Sequence, residues 1–358
     1  MSASSTRAFG FGARCLALAL LVAVLSAAAA SAAAVRTVCP DRLEISRGAC
    51  RYTVPCSRNA AEPARTTRAI VLIHGINRDA DRYFAQVRHL IGRHGDGGAR
   101  TLLLAPQFLE PEDAVAHRLE RTAPCWSDWS WGGQSVADRF GRSVSSFEVI
   151  DGLLRDLADR RLFPHLREVV LLGHSAGGQF VNRYAAAGGG EDNVLRPAGI
   201  SISYVAAAPS SYLYFTRERR VPGSTDSFAP VAVRLSDPLG LVTYDDYGYG
   251  LQHLDRYPYV ARVGAGAIVE QYPLRRVTYL VGERDNDPRG RYLARGPAAM
   301  LQGENRLERG VVYQNYLRHT FGPEIRQRQE LVIVPDVGHD SDGLLASPAG
   351  LGLLLGER

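Results

Sequence analysis

The sequence predicts an α/β protein: a mostly parallel central sheet flanked by helices, with one irregular insertion. Three observations carry this reading. Short, near-continuous apolar runs recur along the chain, separated by longer amphipathic stretches. Runs of that kind suit strands covered on both faces, and their alternation with helices builds right-handed βαβ units. One run passes through a Gly-rich turn straight into a helical pattern, and a Tyr-, Pro-, Gly- and Asp-rich stretch from Ser210 to Tyr272 interrupts the alternation.

The first residues stand apart from the fold. Arg7 and Arg14 flank the start of an apolar run, Leu16 to Leu25, and small residues follow; Ala30-Ser31-Ala32 and Ala32-Ala33-Ala34 both suit signal peptidase. The layout is that of a secretory signal peptide over residues 1–34. Its apolar run is shorter than the roughly 20 residues a spanning helix needs. The expected product is secreted, periplasmic or extracellular, with no stable membrane insertion after cleavage. Residues 35–358 fit one large domain, and 46% apolar content is ample for its core. The net charge is +5, carried by scattered arginines without a basic block, so no nucleic-acid partner is expected.

Four cysteines follow the leader: Cys39, Cys50, Cys56 and Cys125. An even count in an exported chain predicts two disulfides. With Arg51 to Pro55 as a strand, Cys50 and Cys56 stand about 20 Å apart at ~3.3 Å per residue, too far to bridge. That leaves 39–50 with 56–125, or 39–56 with 50–125. No Cys-x-x-Cys pair is present, and no metal site is expected.

Leu43 to Ser46 and Cys50 to Val54, joined through Arg47-Gly48, predict an edge hairpin. Buried strands are predicted at Ala69–Ile73, Thr101–Ala105, Glu168–Leu172, Ile200–Ala206, Val277–Val281 and Leu331–Val334. Helical patterns run over Asp81–His94, Phe147–Arg161, Gln179–Ala187 and Arg306–His319. Ser210–Tyr272 is too long for a plain connection and is read as a cap or lid over the C-terminal edge of the sheet.

The sharpest chemical signal is Gly173-His174-Ser175-Ala176-Gly177-Gly178, set between the Glu168–Leu172 strand and the Gln179 helix. The bare Gly-x-Ser-x-Gly pattern recurs by chance; placed between strand and helix it is a nucleophile elbow. Val170 to Gly178 resembles the elbow of esterases and lipases in the α/β-hydrolase superfamily, and the resemblance extends from about Ala69 to His339. It implies an α/β-hydrolase fold, with about 210–272 as its cap.

The resemblance also implies partners in the order Ser, acid, His. Downstream of Ser175 lie His253, His319 and His339. His339 follows the last strand, where the superfamily places its base; His319 falls in a helical pattern and His253 in the cap segment. The acid is expected after Val277–Val281, in Gly282-Glu-Arg-Asp285-Asn-Asp287. Asp285 fits the spacing best, with Asp287 and Glu283 as rivals on the same loop. The oxyanion donors expected are the amides of Ala176 and of Ile76 in His74-Gly75-Ile76-Asn77, with Gly75 and Asn77 as alternatives to Ile76. His74 is expected to be structural. The implied reaction is ester hydrolysis through an acyl-enzyme without metal or organic cofactor, acting on a small or polymeric ester. A peptidase or amidase, a polyester depolymerase, and a non-catalytic binding protein on this scaffold are the alternatives. Trp126, Trp129 and Trp131, and Tyr244, Tyr247, Tyr249, Tyr257 and Tyr259, fit either a binding cleft or a local aromatic core.

Overall fold

The computed structural model describes residues 33–120, 123–231 and 244–356. The leader expected over 1–34 lies outside them except for its last two residues.

The strands are β1 Asp41–Arg47, β2 Cys50–Arg58, β3 Arg68–Ile73, β4 Thr101–Pro106, β5 Glu168–His174, β6 Ser201–Ala207, β7 Glu218–Arg220, β8 Phe228–Pro230, β9 Val277–Gly282 and β10 Gln329–Val334. Eight of them form one sheet in the order β1-β2-β4-β3-β5-β6-β9-β10. From β4 to β10 neighbours run parallel; β2 is antiparallel to β4 and to β1. The hairpin expected at the sheet edge is β1–β2, turned through Gly48 at φ +57°.

The central strands β3, β4, β5 and β9 are apolar because both faces are covered. In β3, Ala69, Val71 and Ile73 enter one apolar cluster while Ile70 and Leu72 enter another; Val169 and Leu171 of β5 part from Val170 and Leu172 in the same way. The period of two along a strand makes this division. Helices Ser146–Leu157, Ala176–Ala187 and Arg306–Phe321 contribute to the first cluster. Helices Ala80–Gly92, Ser341–Ala346 and Pro348–Leu355 contribute to the second. Helix starts follow local chemistry. Ser145 Oγ accepts the Phe147 amide while Glu148 Oε2 accepts the Ser145 amide at 2.9 Å, a capping box. Asn305 Oδ1 accepts the Glu308 amide at 2.9 Å.

The expected disulfides are absent: Cys39, Cys50, Cys56 and Cys125 are free thiols. Cys56, Cys39 and Cys125 belong to three different apolar clusters, and Cys50 sits at the hairpin end of β2. Burial pushes the thiols up, to about 12 at Cys56 and about 11 at Cys125, so they behave as small apolar groups. Among the described residues no helix is long and apolar enough to cross a membrane, and no cluster of three or more His, Cys, Asp or Glu residues could hold a metal.

Within 210–272, the described residues hold the β7–β8 ribbon and the short helices Pro258–Val263 and Ala265–Gln271. Tyr212, Leu213 and Tyr214 are wholly buried, and Tyr212 stacks on Tyr313 at 4.3 Å. Half of the eight aromatic residues of uncertain role belong to the core. Trp126 donates to the Val144 carbonyl at 2.9 Å, and Trp129 lies parallel to Phe108 at 5.9 Å. Tyr247 and Tyr259 are buried, whereas Trp131, Tyr244, Tyr249 and Tyr257 are partly exposed. Trp129→Ala is expected to cost about 3–5 kcal/mol, the range for emptying a large aromatic site, and urea unfolding measures it. A loss no greater than that of Trp131→Ala would show that Trp129 is not a core anchor.

Candidate active site

β5 ends in Gly173-His174, and a helix begins at Ala176. Ser175 between them has φ 59° and ψ −115°, a conformation that L side chains rarely adopt. The turn is compressed: a Cβ on Gly173 would lie 2.2 Å from the Gly177 carbonyl oxygen, and one on Gly177 would lie 2.3 Å from that of Ile73. Glycine is required at both positions because backbone approaches backbone there. The Ser175 amide donates to Ala207 of β6 at 2.9 Å, which fixes the turn to the neighbouring strand.

His339 arrives on the turn after β10. Its Nε2 lies 3.1 Å from Ser175 Oγ, and its Nδ1 lies 2.8 Å from Asp285 Oδ2. With Nδ1–H donating to the carboxylate, Nε2 is free to accept the serine proton. Asp285 is 5% exposed. The acid and histidine loops are sewn together: the Glu283 amide donates to Val334 at 2.9 Å and that of Arg284 to Val337 at 2.8 Å. Gly282 permits the approach, since its Cβ would fall 2.2 Å from the Val337 carbonyl oxygen.

The rival residues are engaged elsewhere. Asp287 Oδ1 accepts the Arg289 amide at 2.8 Å, and Glu283 Oε2 accepts that of Asp336 at 3.0 Å. His319 pairs with Glu218 Oε2 at 3.0 Å on the outer face of its helix, and His253 stands 3.7 Å from Asp246 Oδ1.

Ala176 is first in its helix, so its amide has no intrahelical acceptor. Ile76 sits in a tightly held loop. His74 Nδ1–H donates to the Gly75 carbonyl at 2.8 Å while Nε2 accepts the Phe108 amide at 2.9 Å. Arg78, at φ 58°, donates to the Ile76 carbonyl at 3.1 Å and is buried against Asp113 at 2.6 Å and Glu110 at 3.2 Å. A cavity of about 390 Å³ opens over Ser175, His339, Ile76 and the exposed Asn77.

No family model and no curated protein matches the sequence. Solved structures do match. Poly(aspartic acid) hydrolase-1 from Sphingomonas sp. KT-1 aligns with a TM-score of 0.51 at 22% identity, covering 86% of this chain and 96% of that one. The poly(3-hydroxybutyrate) depolymerase of Bordetella parapertussis aligns with a TM-score of 0.53 at 23% identity, covering 89% and 90%. The fold is that of the α/β-hydrolases.

Two features of this site carried no signal in the sequence. Arg306, 1% exposed, points Nη1 at Asp285 Oδ1 (3.4 Å) from behind, and the Leu307 amide donates to the Asp285 carbonyl at 3.0 Å. The helix that starts at Arg306 therefore buttresses the acid. His174 lies ring to ring with His339 at 4.7 Å and shares a 2.8 Å hydrogen bond with Tyr83 Oη. Burial, then the nearby His339 and Arg306, hold His174 well below the ordinary histidine range, so this neighbour carries no charge at neutral pH.

His74 is likewise held neutral, lowered to about 4 by burial. The unfolded chain binds this proton below about pH 6.5, whereas the folded chain resists until about 4. The associated stability is present above about pH 6.5 and is lost as pH falls toward 4, about 3 kcal/mol for this group. His174 adds to the slope in the same direction. Urea midpoints at pH 7 and pH 4.5 are expected to differ less in His74→Gln than in the wild type; an equal difference would remove His74 from the account.

Proposed function

We propose that this chain is an exported serine hydrolase that cleaves carboxylic esters through Ser175, His339 and Asp285. The observation that carries the reading is the unbroken hydrogen-bond chain, 3.1 Å and then 2.8 Å, starting at a serine held in a strained turn. A non-catalytic scaffold has no need to keep three such groups in register at that cost, about 1–3 kcal/mol for the backbone alone.

In the first half-reaction, Ser175 Oγ attacks the ester carbonyl and His339 Nε2 takes its proton. Asp285 holds the imidazole tautomer and balances the imidazolium. The oxyanion forms against the Ala176 and Ile76 amides, each worth about 3–4 kcal/mol in the transition state. His339 returns the proton to the departing alcohol, leaving an acyl-serine. Water, deprotonated by the same nitrogen, then releases the acid. The name of one solved hydrolase, a poly(3-hydroxybutyrate) depolymerase, favours a polymeric ester as a special case of this reaction, whereas the poly(aspartic acid) in the name of the other is joined by amide bonds.

A fluorophosphonate probe is expected to label the mature protein and to fail on Ser175→Ala. Labelling that survives this substitution would move the nucleophile elsewhere. Asp285→Asn should lower kcat about 10⁴-fold, as when a triad histidine loses its proper tautomer, and Asp287→Asn by far less; the reverse order would reassign the acid. Turnover of short-chain p-nitrophenyl esters but not of peptide anilides separates esterase from peptidase.

A further inference from the structure

The cavity over Ser175 has little to offer a fatty chain. Among its described lining residues, Ile76 has the one aliphatic side chain, whereas four arginines share the wall: Arg82, Arg284, Arg291 and Arg306. Sites for long acyl groups are lined by apolar side chains, each buried methylene contributing about 0.8 kcal/mol. Beside the rings of Tyr83 and Tyr292, this wall is rich in hydrogen-bond donors.

Carboxylates share the wall, but their oxygens are largely committed. Asp285 serves His339 and Arg306. Both oxygens of Asp340 accept backbone amides, from Asp342 at 3.1 Å and Gly343 at 3.0 Å, and Asp287 accepts that of Arg289. The arginine donors are freer. Arg284 pairs with exposed Asp336 at 2.5 Å, and Arg82 with exposed Asp342 at 3.4 Å and half-buried Asp79 at 3.8 Å, over the Tyr83 ring. Surface pairs of this kind are worth ~0–1 kcal/mol and exchange readily.

Arg291 is freer still. Its guanidinium donates to Tyr292 Oη at 2.7 Å and lies 4.6 Å from that ring's centroid, with no carboxylate partner among the described residues. Its backbone is fixed nonetheless. The Arg291 carbonyl accepts from buried Arg306 at 3.0 Å, and Tyr292 is held at φ 59°. A well-anchored arginine with open donors thus shares a cavity with the nucleophile. A guanidinium fork matches a carboxylate with two parallel hydrogen bonds.

Resting on the ester-hydrolase reading above, we propose that the site takes esters bearing a carboxylate in their acyl or alcohol portion, with Arg291 as the residue that binds this group. Two matched pairs of substrates test this in a pH-stat: monomethyl succinate against methyl butyrate, and O-butyrylglycolate against propyl butyrate. The methyl ester of 4-(trimethylammonio)butyrate serves as the cationic control. In at least one pair the anionic ester is expected to have a kcat/KM about tenfold or more above its neutral partner, the scale of one hydrogen bond to a charged group. The cationic ester is expected to be the poorest substrate, and the preference should shrink at high salt. Arg291→Gln should collapse the preference and Arg291→Lys should retain part of it, with thermal unfolding of both variants matching wild type, since the side chain is exposed. Equal rates within both pairs, or a preference that survives Arg291→Gln, overturns the proposal while leaving the esterase reading in place. Absence of turnover on every ester together with absence of fluorophosphonate labelling defeats the esterase reading instead.

Discussion

The structure depends on one steric constraint, the turn at Ser175. Backbone crowds backbone there: Gly173 against Gly177, Gly177 against β3, and Gly178 against the Ala207 carbonyl oxygen, where a Cβ would lie 2.5 Å away. The crowding is possible because β3, β5 and β6 are adjacent in the sheet. It forces the serine to positive φ, and the serine then stands clear of the sheet edge with a helix start beside it. Strain of this kind persists only where surroundings over-determine it. Here the surroundings are the central strands of the core, the part of a domain slowest to open.

A second theme is the arginine clamp. Arg309 is buried, and its Nε and Nη2 donate to the carbonyls of Gly303 and Ala294 at 2.9 and 2.8 Å; Nη1 donates to that of Ser210. Arg219 reaches the carbonyls of Thr216, Glu218, Tyr244 and Tyr249, and Arg183 that of Gly248. Each guanidinium satisfies several carbonyls of irregular backbone with one planar fork, which the point charge of a lysine does not match. In this way a stretch poor in regular structure is held against the sheet without disulfides.

The regular part of the fold was legible because it obeys simple periods. Every strand of the parallel sheet could be read from apolar runs such as Val169–Leu172, and four helices from their spacing, whereas short helices such as Ser341–Ala346 and Pro348–Leu355 went unread. Ser175, His339 and Asp285 could be placed because each follows a strand on a Gly-containing loop. The rest depends on contacts that are distant in sequence. Arg306 looks like any surface arginine until its helix docks on the acid loop, and nothing local marks it as buried. His174 reads as the filler of a motif, although its partner Tyr83 lies 91 residues away. The cysteines misled because an even count constrains pairing only if the fold brings sulfur to sulfur, and all four are free thiols. Two of the three tryptophans proved to be core for the converse reason: their neighbours Phe108 and Val144 come from other segments.

The sewing of the acid and histidine loops has a mechanical consequence. Backbone hydrogen bonds and the Gly282–Val337 contact tie the Asp285 and His339 loops directly to each other, whereas Ser175 is held by β5 and by Ala207 of β6. The 2.8 Å bond therefore joins two loops stitched directly together, and the 3.1 Å bond spans from them to the turn after β5. The register of Ser175 against His339 thus rests on the order of the sheet, β5-β6-β9-β10.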